Sequence, residues 1–383
     1  MKGSVVEDVR WYQLRVSPKT VWSFIELTDA DGRTGVGEAT LGQREPAMRD
    51  ALGRFEAAVI GRAPSDADLD PVRAVARSLP EFAVVSALDQ AVWDLAAQQR
   101  GVGLSSALGE VRREKIGVYA NINRGIAART EEGFAVQARR AVTDGFTAIK
   151  IAPFDGVDLY GDSRRVADTR LFDAALARIV AVREAIGPGV ALMVDCHWRL
   201  HRAAAEKVLQ ATASHDLHWL ECPVPETPEM HETLRHVRRL ANAQGVRLAG
   251  CEEMSLCSGF APFLEAQTYD VMMPDVKYVG GLREMLKVAD ALRLNGVEFS
   301  PHNPSGPVCH AASLHICAVA PGLHRLEIQY AETPLFDELV GGMLSRPVNG
   351  EIEAPREVGL GVRLDRALIR ELEDKDGFAQ HAC

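Results

Sequence analysis

The stretch MVDCHWRL, Met193 to Leu200, puts an aspartate, a cysteine and a histidine on consecutive residues, Asp195, Cys196 and His197. Each can bind a metal ion, and the acid and the imidazole can also move a proton. Charged residues close other short apolar runs along the chain. These are Lys150 in AIKIAP, Glu221 in HWLECP, Glu252 or Glu253 in VRLAGCEE, Asp275 with Lys277 in VMMPDVK, His302 in VEFSPH and Glu327 in LHRLEIQ. A charge at the end of an apolar strand must be paired or desolvated, so packing gives no reason for it to recur. Any one of them reads equally well as a solvated loop residue; the set reads as a site.

Asp195, Glu221 and Glu252 (or its neighbour Glu253) offer only oxygen donors. Such a set selects a hard divalent cation, with magnesium the usual occupant, whereas zinc favours His and Cys ligands. Cys196, Cys222 and Cys251 each adjoin one of these acids. Side chains alternate along a strand, so an acid facing inward turns its cysteine neighbour outward, where a thiol acts as a small apolar group. By the same rule Asp195 and His197 share the inward face and Cys196 points away.

The elements that must carry these residues are strands followed by helices. IGVYANIN, AIKIAP, ALMVDCH, HWLECP, VRLAGCE, VMMPDV, VEFSPH and LHRLEIQ read as strands. Amphipathic stretches such as 172–186, 203–213, 229–243, 281–294 and 305–318 lie between them. Strand then helix, repeated about eight times, predicts a parallel βα barrel, whose catalytic groups come from the C-terminal strand ends. Before it, VVEDVRWYQLRV and TVWSFIELTDADGRTGVGEA read as strands with an Asp-Gly turn at Asp31–Gly32. Helical spacing runs from Pro46 to Gln99, with Gly101 as a C-cap. The predicted organisation is an α+β capping domain over 1–115, a modified (β/α) barrel over 116–335 and a C-terminal segment, 336–383, returning towards the cap.

At 383 residues, with 47% hydrophobic and 25% charged residues, the chain has an ordinary globular composition. Its formal net charge of −10 argues against nucleic acid and membrane surfaces as partners, while a metal can still invert the local field for a small anion. The N-terminus lacks the apolar core of a signal peptide, and no apolar run reaches the roughly 18 residues of a membrane span. Seven cysteines without a CxxC pair fit reduced thiols, and the expectation is a cytoplasmic protein.

VDCHWR, WLECPVPE, LAGCEEM, MMPDVKYVGG and SPHNPSGP, in this order, resemble the enolase superfamily in its mandelate racemase subgroup. The resemblance covers nearly the whole chain, including GLGV near the end. It implies metal ligands at Asp195, Glu221 and Glu252, the last chosen over Glu253 by its place in AGCE, with Mg2+ as the cofactor. It also implies a His–Asp pair, His302 with Asp275, in which the aspartate orients a histidine base.

The chain departs from the family at one position. Many members carry Lys-x-Lys on the second barrel strand; here Lys150 matches the first lysine and the second position is Ala152. A racemase needs acid–base groups on both faces of the reacting carbon, so Ala152 counts against racemisation. His197, two residues after the ligand aspartate, is instead similar to the galactonate- and mannonate-type dehydratases, as are the insertion GVDLYGDSRRVADTRLFDAA and the loop PHNPSGP.

The reading that follows is a lyase, a dehydratase of an acid sugar. His302 takes the C2 proton and His197 protonates the departing C3 hydroxyl, giving a 2-keto-3-deoxy acid. Lys150 either attracts the substrate carboxylate or pairs with Asp195. Arg199 either reaches the substrate or closes a salt bridge at the strand end, and Glu327 bonds the carboxylate or enolate. Lys277 is by default a solvated lysine. Lys19, Trp22 and Arg44 of the capping domain are candidate substrate contacts. Alternatives are an epimerase on the same scaffold and a non-catalytic sugar-acid-binding protein; metal-dependent hydrolysis is disfavoured because VYANINR has no HxH pair. The family implies a homo-oligomer.

Overall fold

The computed structural model describes residues 3–159, 169–342 and 344–376. Three antiparallel strands open the chain: β1 (Val6–Arg15), β2 (Val21–Asp29) and β3 (Thr34–Glu38). The turn between β2 and β3 passes through Gly32 at φ +80, where Asp29 Oδ1 accepts the N–H groups of Asp31 and Arg33. Helices Glu45–Phe55, Asp70–Val75 and Leu79–Arg100 follow. The longest starts on a capping box between Ser78 and Glu81 and ends at the expected C-cap, Gly101, left-handed at φ 65. It lies tightly on β3, because a Cβ on Gly37 would stand 1.9 Å from the Ala87 carbonyl oxygen. Ile25, Leu27, Val84, Leu88 and Leu95 belong to a core of this layer's own.

The second unit is a curled parallel sheet wrapped by helices, a modified (β/α) barrel. Its strands are β4 (Lys115–Asn121), β5 (Ala148–Ile151), β6 (Ala191–Asp195), β7 (Leu217–Glu221), β8 (Arg247–Gly250), β9 (Val271–Met272), β10 (Glu298–Phe299) and β11 (Leu326–Gln329). They pair in the order β10-β9-β8-β7-β6-β5-β4-β11. A bridge between Phe299 and Leu323, and the Glu327 N–H donated to the Pro301 carbonyl at 3.3 Å, draw the two ends together. β9 and β10 are only two residues long. Pro274 and Pro301, which lack an N–H, stand just beyond them and limit the ladder.

The barrel interior is layered by the two-residue period of its strands. Tyr119, Ala148, Met193, Trp219, Ala249 and Val271 form an apolar plug, with the Tyr119 and Trp219 rings edge-on at 5.3 Å. Two residues further along their strands come Asn121, Lys150, Asp195 and Glu221. Each charged group therefore stands one layer above a sealed apolar floor.

The C-terminal segment returns. β12 (Glu351–Glu353) pairs antiparallel with β4, and helix Arg366–Asp376 reaches the first sheet, where Arg366 meets Glu26 at 2.6 Å. Among the described residues no helix is long and apolar enough to cross a membrane. Of the insertion predicted after β5, residues 160–168 lie outside the described residues, and its last part opens helix Thr169–Ile186.

Candidate active site

Asp195 and Glu221 close adjacent strands, and Glu252 lies two residues past the end of the next. One oxygen from each lies within 4.8 Å of the others, and all three side chains are buried. Burial, joined by the negative charge of Asp195, lifts the Glu221 carboxyl to about 7 despite the nearby Lys150. Burial, with Asp195 and Glu221, holds Glu252 well above the ordinary carboxylate range. Asp195 falls to about 2, because the charge and hydrogen bonds of His197 outweigh its burial. Three buried oxygen donors that converge closely enough for mutual repulsion to add to burial in raising Glu221 and Glu252 fit a hard divalent cation. Glu253, by contrast, is exposed, and it is Glu252 that the structure brings together with Asp195 and Glu221.

Asp275 and His302 follow Pro274 and Pro301 and form a bridge continuing the β9–β10 pairing. His302 Nδ1 lies 2.8 Å from Asp275 Oδ2, and since a carboxylate only accepts, Nδ1 carries the proton. His302 Nε2 stands 3.6 Å from Glu252 Oε2. Burial lowers the basicity of this imidazole more than the acids around it raise it.

His197 sits beyond β6 on left-handed backbone, φ 47, followed by Trp198 at φ 58. Strand alternation therefore accounts for Asp195 and Cys196, while a turn aims His197. Its N–H donates to Asp195 Oδ1 and its Nε2 meets Asp195 Oδ2, both at 2.8 Å. Partial burial disfavours the imidazolium, but the Asp195 charge prevails and its basicity rises. Cys196 and Cys251 join the apolar core, whereas Cys222, also buried, holds its Sγ 3.9 Å from Glu252 Oε2. Cys222 and Cys251 are left-handed as well, at φ 43 and 69.

The remaining candidates separate. Lys150 is fully buried, and its Nζ pairs with Glu221 Oε1 at 2.6 Å and Glu327 Oε1 at 3.0 Å, so its ion-pair partners are these rather than Asp195. Glu327 also accepts from Asn121 Nδ2 (2.6 Å), Tyr119 Oη and the Asn303 N–H (both 3.2 Å). Lys277 is not solvated: it is 1% exposed, 2.5 Å from Asp275 Oδ2 and bonded to Ser305 Oγ. The register after Pro274 turns it inward beside the dyad.

A cavity of about 340 Å³ opens over the triad and dyad, and Asp195, Glu252, His197, His302, Lys277 and Lys19 are in its wall. Trp22, Arg199 and Arg44 are not. Trp22 is buried edge-on to Phe24 and Phe336, and the Arg199 guanidinium braces the carbonyls of Phe154 and Val157. Sequence reasoning missed Asn121, Asn123, Arg124 and Tyr278, which also line the cavity. NINR, a polar close to the first barrel strand, was the available signal. At position 152 the alanine is buried, and its N–H donates to Asn123 Oδ1 at 2.6 Å.

A capped parallel barrel with an acidic triad and an oriented His–Asp pair at the C-terminal strand ends defines the enolase-type architecture. The chain belongs to the mandelate racemase / muconate lactonizing enzyme family. Residues 133–368 match the enolase C-terminal domain-like family, and residues 9–109 match the mandelate racemase / muconate lactonizing enzyme N-terminal domain. The chain is 29% identical over 368 residues to the D-gluconate dehydratase of Thermoproteus tenax, spanning 94% of this chain and 70% of that one. It is 28% identical over 367 residues to the D-galactonate dehydratase of Verminephrobacter eiseniae (strain EF01-2), spanning 93% and 92%. The fold matches the mandelate racemase/muconate lactonizing enzyme-like protein from Roseovarius sp. TM1035 with a TM-score of 0.85 and 26% identity, over 96% of this chain and 95% of that one.

Proposed function

We propose that the protein is a magnesium-dependent hydro-lyase that dehydrates a sugar acid, an aldonate or aldarate, to a 2-keto-3-deoxy acid. The observation that carries this reading is His302, with Nδ1 tied to Asp275 and Nε2 only 3.6 Å from a triad carboxylate. A base held in that way stands beside the point where a chelated carboxylate would be bound. Relatives named as gluconate, galactonate and xylonate dehydratases support the same chemistry.

Magnesium held by Asp195, Glu221 and Glu252 would supply Lewis-acid stabilisation of charge developing on the substrate carboxylate. His302 Nε2 accepts the C2 proton, while Asp275 keeps the other ring nitrogen protonated and fixes the ring. Lys150, between Glu221 and Glu327, offsets negative charge beneath the reacting carbons. His197, from the same cavity wall, gives its proton to the C3 hydroxyl, which leaves as water, and the enol tautomerises to the ketone. Ala152 supplies no second base for inversion at C2, which favours elimination over epimerisation. Unpaired cysteines at 196, 222, 251, 257, 309 and 317 accord with a cytoplasmic enzyme.

The test is a screen of aldonic and aldaric acids with magnesium, scored for 2-keto-3-deoxy product. Turnover of one or more acids is expected; failure of all of them by protein that still binds magnesium would overturn the assignment. With an active acid in hand, His302→Asn should abolish exchange of the C2 hydrogen with solvent deuterium. Exchange at the wild-type rate would mean that another group is the base.

A further inference from the structure

The capping domain meets the barrel mouth through the turn after β1, residues 16–20. Lys19 is exposed on this turn, and Lys19, Thr20 and Val21 are in the cavity wall. Arg124, after β4, contributes to the same wall. One carboxylate joins these two pieces. Ser17 Oγ donates to Glu332 Oε1 at 2.8 Å, Thr20 Oγ1 donates to the same oxygen, and Arg124 Nη1 stands 3.3 Å from Oε2. The Glu332 side chain is only 4% exposed and does not itself line the cavity. Its neighbour Ala331 is left-handed at φ 52, a costly conformation for alanine, which turns the chain out of β11 just before the glutamate.

We infer that Glu332 is a positioning residue, a clamp that holds the Ser17–Thr20 turn and Arg124 against the barrel and so presents Lys19 and Arg124 to the substrate. Its geometry is that of a fastening. Two hydroxyls from the cap and a guanidinium from the barrel converge on a group nearly removed from water, where such bonds are strongest. Without the carboxylate both hydroxyls lose their acceptor and the turn loses its tie to the barrel. If the clamped turn is the binding-competent state, apparent affinity falls in proportion to the fraction still clamped. The reacting carbon is served by other residues, His302, Asp275 and the triad, so the loss should fall on KM far more than on kcat.

The test has two arms on the full-length protein. In the first, which needs no substrate, trypsin cleavage after Lys19 is timed in wild type, in Glu332→Ala and in Ser17→Ala/Thr20→Val. Both variants should be cut there at least about tenfold faster, since cleavage follows the population of the opened turn. The second arm rests on the sugar-acid reading and uses whichever acid the screen finds active. Both variants should raise KM about tenfold or more with kcat changed less than about threefold, and the triple variant should add little, as expected of one interacting unit. Glu332→Gln, which keeps an acceptor oxygen for the hydroxyls, should recover much of the loss. If Glu332→Ala fails to fold, the Ser17/Thr20 pair decides the question. Wild-type cleavage after Lys19 in folded variants would overturn the clamp, as would an unchanged KM. If no acid turns over, the dehydratase reading fails on its own while the proteolysis arm still judges the clamp.

Discussion

Glu252 is the triad member with the least protein support. Among the described residues its polar neighbours are the Cys222 thiol at 3.9 Å and His302 Nε2 at 3.6 Å, whereas Glu221 receives Lys150 and the Trp219 indole. A buried carboxylate without strong donors is costly, and a cation is the natural remedy. Adding magnesium to chelator-treated protein should therefore raise the melting temperature by a few degrees, through mass action on the folded state. Glu252→Gln should remove that increment while leaving the metal-free protein at least as stable, because the substitution also removes like-charge repulsion. Differential scanning calorimetry with and without magnesium checks both. The acids of this site were readable because each ends an apolar run. The partners were not: nothing in AIKIAP says that Lys150 chooses Glu221 and Glu327, and nothing near Arg199 says that it holds two carbonyls. Those choices depend on distances between strands far apart in the chain.

At the scale of elements, Leu79–Arg100 organises the cap, and its first turn depends on Glu81. The Glu81 carboxyl is held down at about 2, first by the Arg77 N–H at 2.7 Å, then by Arg54 at 2.6 Å, with Ser78 completing the box. A folded-state value below the ordinary one of about 4.3 gives stability that is complete above that pH and lost as pH falls towards 2. Glu81→Ala should thus cost about 1 kcal/mol at pH 7, and the difference from wild type should narrow at pH 3, measured by urea unfolding at each pH. The eight barrel strands were legible because buried parallel strands are continuous apolar runs. Helix Leu256–Glu265 was not among the stretches named from the sequence; Gly259 and Pro262, both poor helix formers, lie within it. The sequence stretches VMMPDV and VEFSPH also look longer than the strands they form, because proline limits each ladder. Beyond that break one isolated bridge still pairs Asp275 with His302, and it sets them side by side.

Across the whole molecule, the cap is fastened to the two strand–helix units that carry the dyad. Glu38 of β3 accepts the N–H groups of Gly306 and Cys309, at 2.7 and 2.9 Å, where helix Pro307–Val319 begins after His302. Asp89 accepts the Leu282 N–H at 2.7 Å, where helix Leu282–Leu294 begins after Asp275. Carboxylates suit helix N-termini, both for the unpaired N–H groups and for the dipole. Glu38→Ala should cost about 1–3 kcal/mol in urea unfolding, because buried N–H groups lose their acceptor. It should also lower kcat through the His302 loop, while magnesium affinity by calorimetric titration stays near wild type.

The apolar plug beneath the site has an optical consequence. Trp219 is fully buried, its ring edge-on to Tyr119, and its indole N–H donates to Glu221 Oε2 at 2.9 Å. An indole bonded to a triad carboxylate is a built-in chromophore for the charge state of the site. When a cation draws electron density from Glu221, that bond weakens and the emission of Trp219 should change in wavelength and intensity. A fluorescence titration of metal-free protein with magnesium should show the change in Trp198→Phe, whose lost indole belongs to the cavity wall, and lose it in Trp219→Phe.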